Sequence, residues 1–500
     1  MKKILTIILD GFGMREDSYG NAIKNAGMSN FINAWNNYPH CLLKTSDKAL
    51  GITKEATIDS TFGHKIIGAG RPIKHKLSQI NEQLSNNQLK ENANFIKMVN
   101  SLKEHGGNLH ILFLLSDGGV SSHINYLSKI LTILKEQNFL NKIYLDLISD
   151  GIDSDKNSLN SYLQNIEPLL DNKICISSLC GRYYALDETK DYKRTKMFYN
   201  LLLFGDGIEV NNLEQMINLC YQKKLNDTYI PPLKTSNYQR ISDGDVVLFL
   251  NFSKFNQEPL LEALTKDDFI EFPIRKVSIE IYSLFEIDKK YNKNYFFEEE
   301  KITNPISEYM QELGVSEARI VESVKRPSLT YYFNGSKKTS YANSDVYIVD
   351  SPMVERFDLK PEMNALTVAK TAIKCMEKDY DIIFVNFANA DSVGHTGNYQ
   401  ATINSLQAVD VCLGKLLEVA EENFYKVIIL GSHGKADTII DRKNNIITKN
   451  TDNPVPFIIL DKKVKLKNGN LTNVAPTILK YMDISLPKEM KDTENLFIEE

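Results

Sequence analysis

No Cys-x-x-Cys pair occurs in this chain, and its six cysteines (41, 175, 180, 220, 375 and 412) are scattered over 500 residues. That spacing argues against a disulfide framework or a zinc-thiolate site and favours reduced, mostly buried thiols in the cytoplasm. No uninterrupted apolar run approaches the ~20 residues that span a bilayer. The start, Met1-Lys2-Lys3 followed by Ile4-Leu5-Thr6-Ile7-Ile8-Leu9-Asp10, has too short an apolar run for a secretion signal and reads as a strand. Charge of one sign is also scarce. A formal net charge of -5 gives no general reason to expect nucleic-acid or membrane binding. Internal repeats and low-complexity tracts are missing too, although Lys and Asn are abundant.

What is present is ordinary globular composition, 42% apolar and 25% charged, in a chain long enough for two domains. Apolar runs of strand length recur at 3–9, 109–115, 142–147, 246–252, 381–387, 426–430 and 456–460, with helix-like segments between them. This is an α/β pattern, and runs apolar on both faces suit parallel strands covered by helices. Several runs end in polar or glycine-rich turns: Asp10-Gly11-Phe12-Gly13, Ser116-Asp117-Gly118-Gly119, Ala390-Asp391-Ser392 and Ser432-His433-Gly434. Ligands of open α/β sheets sit outside the carboxyl ends of strands, so chemistry is expected there. Connectors are read at 68–72 and 289–304. They predict an inserted domain over 74–299, about 225 residues and near the upper end of domain size. The flanking segments, 1–73 and 300–500, then combine into the other domain.

Among the turns, Asp391 and His395 form an Asp-x-x-x-His pair after one strand, His433 follows another, and Asp10 ends the first. Converging carboxylates and imidazoles suit Mn²⁺ or Zn²⁺. Any one alone is weak, since an isolated histidine after a strand is more often a capping or structural residue; four together at one sheet edge would reverse that.

A longer series of motifs is more specific. It comprises Ile8-Leu9-Asp10-Gly11-Phe12-Gly13, Phe62-Gly63-His64 with Gly68-Ala69-Gly70-Arg71, Ser116-Asp117-Gly118-Gly119-Val120 and Gly181-Arg182-Tyr183-Tyr184-Ala185. It continues through Phe333-Asn334-Gly335, Pro361-Glu362-Met363, Asn386-Phe387-Ala388-Asn389, Val393-Gly394-His395-Thr396-Gly397, Asn453-Pro454-Val455-Pro456 and Ala475-Pro476-Thr477. In this order the motifs resemble those of the cofactor-independent phosphoglycerate mutases of the alkaline phosphatase superfamily. The resemblance implies a discontinuous alkaline-phosphatase-like domain carrying an inserted α/β phosphotransferase-like domain. It also implies interconversion of 3- and 2-phosphoglycerate through a phosphoserine, with two manganese or similar divalent ions.

Carried over residue by residue, the resemblance makes Ser60 the nucleophile. It makes Asp10, Ser60, Asp391, His395 and His433 metal ligands, and Asp153, Arg182 and Lys325 substrate-binding groups. Other positions depart from the family. Ser432 stands for a ligand aspartate, Asn450 for a ligand histidine and Lys435 for an asparagine, while Ser121 replaces a histidine. Arginines are replaced at Ile152, Glu188, Ser253 and Asn256. An amide is a poor substitute for imidazole at Mn²⁺ or Zn²⁺, and a lysine does not reproduce an arginine fork on an anion. The leading expectation is therefore a mutase homologue impaired or silent in catalysis, with doubtful metal binding, retained as a binding or structural component with protein partners. The alternatives are an active metal-dependent mutase acting on a small phosphorylated substrate, and a phosphatase or phosphotransferase with another substrate.

Overall fold

The computed structural model describes residues 1–46, 48–53, 55–137 and 141–498, and its contacts divide the chain into two units. Unit 1 comprises Met1–His75 and Glu300–Glu500, and unit 2 comprises Lys76–Glu299. In chain order unit 1 begins with β1 (Ile4–Leu9) and β2 (His40–Lys44). Unit 2 holds β3 (Leu109–Leu115), β4 (Ile143–Ser149), β5 (Ile174–Gly181), β6 (Ile208–Val210), β7 (Leu233–Thr235), β8 (Val246–Phe249) and β9 (Glu280–Ser283). Unit 1 resumes with β10 (Glu317–Glu322), β11 (Ser344–Val349), β12 (Ile382–Phe387), β13 (Lys426–Gly431), β14 (Val455–Ile459) and β15 (Gly469–Asn470).

Unit 1 is built on a sheet of order β11-β10-β12-β1-β13-β14-β2-β15. Its centre, β10-β12-β1-β13, is parallel, and β14 runs antiparallel to both β13 and β2. Every residue of β1 is buried, as a parallel strand covered on both faces requires. With period two, Leu5, Ile7 and Leu9 face one core, shared with helices Ala365–Glu377 and Tyr399–Glu422. Each such side chain contributes roughly 1.5–3 kcal/mol on burial, so the centre of the sheet is the rigid part of the unit. The chain leaves β1, β12 and β13 at Asp10, Ala388 and Ser432, all on one edge.

Unit 2 repeats the plan in the order β6-β7-β5-β4-β3-β8-β9, with β5-β4-β3-β8-β9 parallel. The apolar run expected to 252 ends as a strand at Phe249. Beyond it the Asn251 side chain, rather than its backbone, accepts the Leu114 N–H at 2.9 Å, so the strand ladder gives way to a side-chain cap. All six cysteines are buried and unbridged. Among the described residues no helix is long and apolar enough to cross a membrane.

Candidate functional site

The unit 1 site is assembled at the carboxyl edge of β1, β12 and β13. Asp10 leaves β1 with its N–H still bonded to the Phe387 carbonyl at 3.1 Å, which fixes its side chain at the sheet edge. Gly11 follows at φ +74, where a Cβ would come within 2.7 Å of the Asp391 Cα. Only glycine lets the two turns approach this closely. Asp391 lies in the short helix Asn389–Gly394 and His395 follows as its cap. Ser60 opens helix Ser60–Ala69, whose N-cap Asp59 accepts the Phe62 N–H at 2.9 Å.

These side chains meet. The Ser60 hydroxyl donates to Asp10 Oδ2 at 2.6 Å and lies 3.0 Å from the Ser328 hydroxyl. The Ser432 hydroxyl donates to Asp10 Oδ1. His433 lies between the two carboxylates, with Nδ1 3.3 Å from Asp10 Oδ1 and Nε2 2.7 Å from Asp391 Oδ1. His395 Nε2 is 3.2 Å from the same Asp391 oxygen. Lys325, in the turn after β10, forms an ion pair with Asp391 Oδ2 and stands 3.9 Å from Asp10. Asn450 donates to the Ile58 carbonyl at 3.2 Å, and its Oδ1 is buried without a partner among the described residues.

The electrostatics follow from burial opposed by charge. Burial alone would raise both carboxyls. Lys325, with His433, instead holds Asp10 well below the usual carboxylate range, and Lys325, His395 and His433 do the same for Asp391. For His433 burial favours the neutral ring, but Asp391 and Asp10 overcome it and push the imidazole up to about 9. His64 is one turn beyond Ser60 and belongs to the same cluster, although reading the motif alone did not give it a place there. Its Nδ1 is 2.7 Å from the Ser60 carbonyl and its Nε2 3.0 Å from Asn386 Nδ2. Burial lowers its pKa. The i, i+4 spacing from Ser60 was the available signal. Ser328 offered none, because it reaches Ser60 from a distant segment.

The expected substrate-binding groups Asp153 and Arg182 belong to unit 2. Arg182 follows β5, and its Nη1 donates to Asp150 Oδ1 at 2.6 Å and to Asp153 Oδ2 at 2.7 Å. Burial opposes its charge, but Asp153 and Asp150 more than offset this and hold it strongly protonated. Asp150 also accepts the N–H groups of Ile152 and Asp153, each at 3.1 Å. Where the arginine-bearing element of the family is altered, the Ser253 hydroxyl donates to Asn256 Oδ1 at 2.7 Å.

The model of the Metalloenzyme superfamily matches residues 2–486. A 2,3-bisphosphoglycerate-independent phosphoglycerate mutase of Campylobacter jejuni is 34% identical over 495 residues, covering 98% of this chain and 99% of the relative. The chain belongs to this mutase family. A mutase of the same name from Bacteroides thetaiotaomicron is 33% identical over 98% of both chains. The crystal structure of Leishmania mexicana phosphoglycerate mutase at low cobalt concentration shares the fold, with a TM-score of 0.94 and 24% identity over 100% of this chain and 98% of that one.

Membership in a metalloenzyme family implies a divalent-metal centre, and the donor chemistry of unit 1 can be tested against it. The side chains that would hold it are Asp10, Asp391, His395 and His433, with the Ser60 hydroxyl. The two carboxylates are already engaged by a lysine, imidazoles and hydroxyls. These contacts take up the oxygens and nitrogens that divalent ions would otherwise engage.

Proposed function

We propose that this chain is a phosphoglycerate-mutase homologue that has lost efficient mutase turnover and serves as a binding or structural component with protein partners. The observation that carries this reading is the closure of Arg182 on Asp150 and Asp153. It is the guanidinium retained where the family pattern has lost four, at Ile152, Glu188, Ser253 and Asn256. Charge-assisted hydrogen bonds are worth about 1.5–3 kcal/mol each, so losing several removes most of the affinity for a substrate carrying both phosphate and carboxylate. In this reading unit 1 is the phosphatase-like domain, with Ser60 the vestigial nucleophile and Asp10, Asp391, His395 and His433 the vestigial ligands. Unit 2 is the inserted phosphotransferase-like domain. Manganese binding is correspondingly weak. Six buried, unbridged thiols support a cytoplasmic location.

A second reading, an active mutase, is favoured by the 2.6 Å bond from Ser60 to Asp10, which orients the nucleophile, and by full-length relatedness to named mutases. Interconversion of 3- and 2-phosphoglycerate, assayed with Mn²⁺ in wild type and Ser60→Ala, separates the two. Turnover at ordinary enzyme rates that is abolished by Ser60→Ala would establish the second reading. Background rates in both proteins support the first.

A further inference from the structure

The site departs from the family's donor set in charge as well as in donor type. Two carboxylates, Asp10 and Asp391, lie at the centre, 0% and 2% exposed. Lys325 is ion-paired with Asp391 and 3.9 Å from Asp10. A second lysine, Lys435, is 0% exposed and stands where the family has a neutral asparagine. Its backbone N–H donates to the Gly11 carbonyl at 3.1 Å, beside Asp10. Its stem runs along the turn that carries His395, passing Gly394 so closely that a Cβ there would meet Lys435 Cγ at 3.0 Å. Its ammonium donates to the Ile447 carbonyl at 3.2 Å. The loss of a carboxylate at Ser432 and the gain of an ammonium at Lys435 shift the local charge in the same direction. A divalent ion needs excess negative charge to offset its dehydration, and both changes reduce it.

We infer that the carboxylate lost at Ser432 and the buried ammonium gained at Lys435 together remove the excess negative charge that holds divalent ions, so that the centre is complete without metal. This rests on the reading of the chain as an impaired mutase but concerns a different quantity, metal occupancy. Asp10 and Asp391 remain as an anionic pair, bridged by His433 and faced by Lys325, and these contacts hold the turns after β1, β10 and β12 together. Metal would then be unnecessary for folding of unit 1.

The test uses the full-length protein, stripped with EDTA, dialysed against MnCl₂, CoCl₂ or ZnCl₂, and examined by elemental analysis and thermal unfolding. Wild type is expected to hold substoichiometric metal and to unfold at the same temperature with EDTA or Mn²⁺. Retention of two ions per chain, or a clear rise of the unfolding temperature with Mn²⁺, overturns the inference. Ser432→Asp with Asn450→His restores donors, and adding Lys435→Asn should strengthen Mn²⁺ binding by at least about tenfold, the scale on which neighbouring groups tune metal sites. Equal Mn²⁺ binding with and without Lys435→Asn overturns the part assigned to Lys435. If these variants fail to fold, the wild-type measurements decide. Metal-loaded wild type without mutase turnover would sink this inference and leave the impaired-mutase reading intact. Turnover would sink that reading instead.

Discussion

The Ser60 hydroxyl donates its proton to Asp10 Oδ2 at 2.6 Å, joining the start of a helix to the end of β1 across 50 residues of sequence. Both partners are buried, so the bond contributes to stability whether or not the serine ever carries phosphate. Ser60→Ala removes a donor from an ionised carboxylate, a loss of about 2 kcal/mol. In a domain of this size that lowers the unfolding temperature by about 2–4 °C, measurable by calorimetry. An unchanged temperature would show that the bond does not form.

Stability should depend on pH in opposite senses for the two kinds of group at this centre. The His433 pKa is raised from 6.5 to about 9, so its contribution is complete below 6.5 and is lost as pH rises through 9. Asp10 and Asp391 are held below 3.8, so theirs is present above that value and is lost as pH falls further. Thermal unfolding followed across pH should therefore decline on the alkaline side between 6.5 and 9. His433→Gln should lower stability overall and flatten that decline.

In unit 2, Arg182→Met should cost about 3–5 kcal/mol, because it leaves Asp150 and Asp153 facing each other without a cation. Hydrogen exchange of the amides of β4 and β5 reports the loss. Adding Asp153→Asn should recover part of it, since one of the two stranded charges is then gone. A double variant no better than the single one would show that Asp153 does not share the guanidinium.

All six thiols should resist alkylation at pH 8 in the native protein and react once it is unfolded. Burial pushes Cys41 up to about 12 and Cys375 and Cys412 to about 11, which leaves almost no thiolate. Mass spectrometry after a timed iodoacetamide pulse gives the count. Rapid native labelling of any of these three would contradict its burial.

Strands such as β1, β12 and β13 were legible in the sequence because strands buried on both faces are written as continuous apolar runs. β10 was not. Its Glu317 and Arg319 interrupt the apolar run that marks a buried strand, yet both are 1% exposed and pair with each other at 3.2 Å. The altered positions around the site were visible against the family pattern, as was the lysine at 325. Its contact with Asp391 was not, since it joins segments 66 residues apart through the sheet edge. Of the two carboxylates that close on Arg182, Asp153 was expected at the site and Asp150 lies three residues before it. What the sequence could not express was that they converge on one nitrogen.

The position of β1 has a consequence for synthesis. The strand leaves the ribosome well before its two neighbours, β12 and β13, which begin at residues 382 and 426. Unit 2 is continuous from Lys76 to Glu299, so its own strands are all available before either neighbour of β1 has been translated. An apolar hexamer, Ile4–Leu9, must therefore wait until residue 382 has been added for the first partner that satisfies its backbone. At typical elongation rates of about 5–20 residues per second, that wait lasts tens of seconds, during which the hexamer is open to unintended pairing.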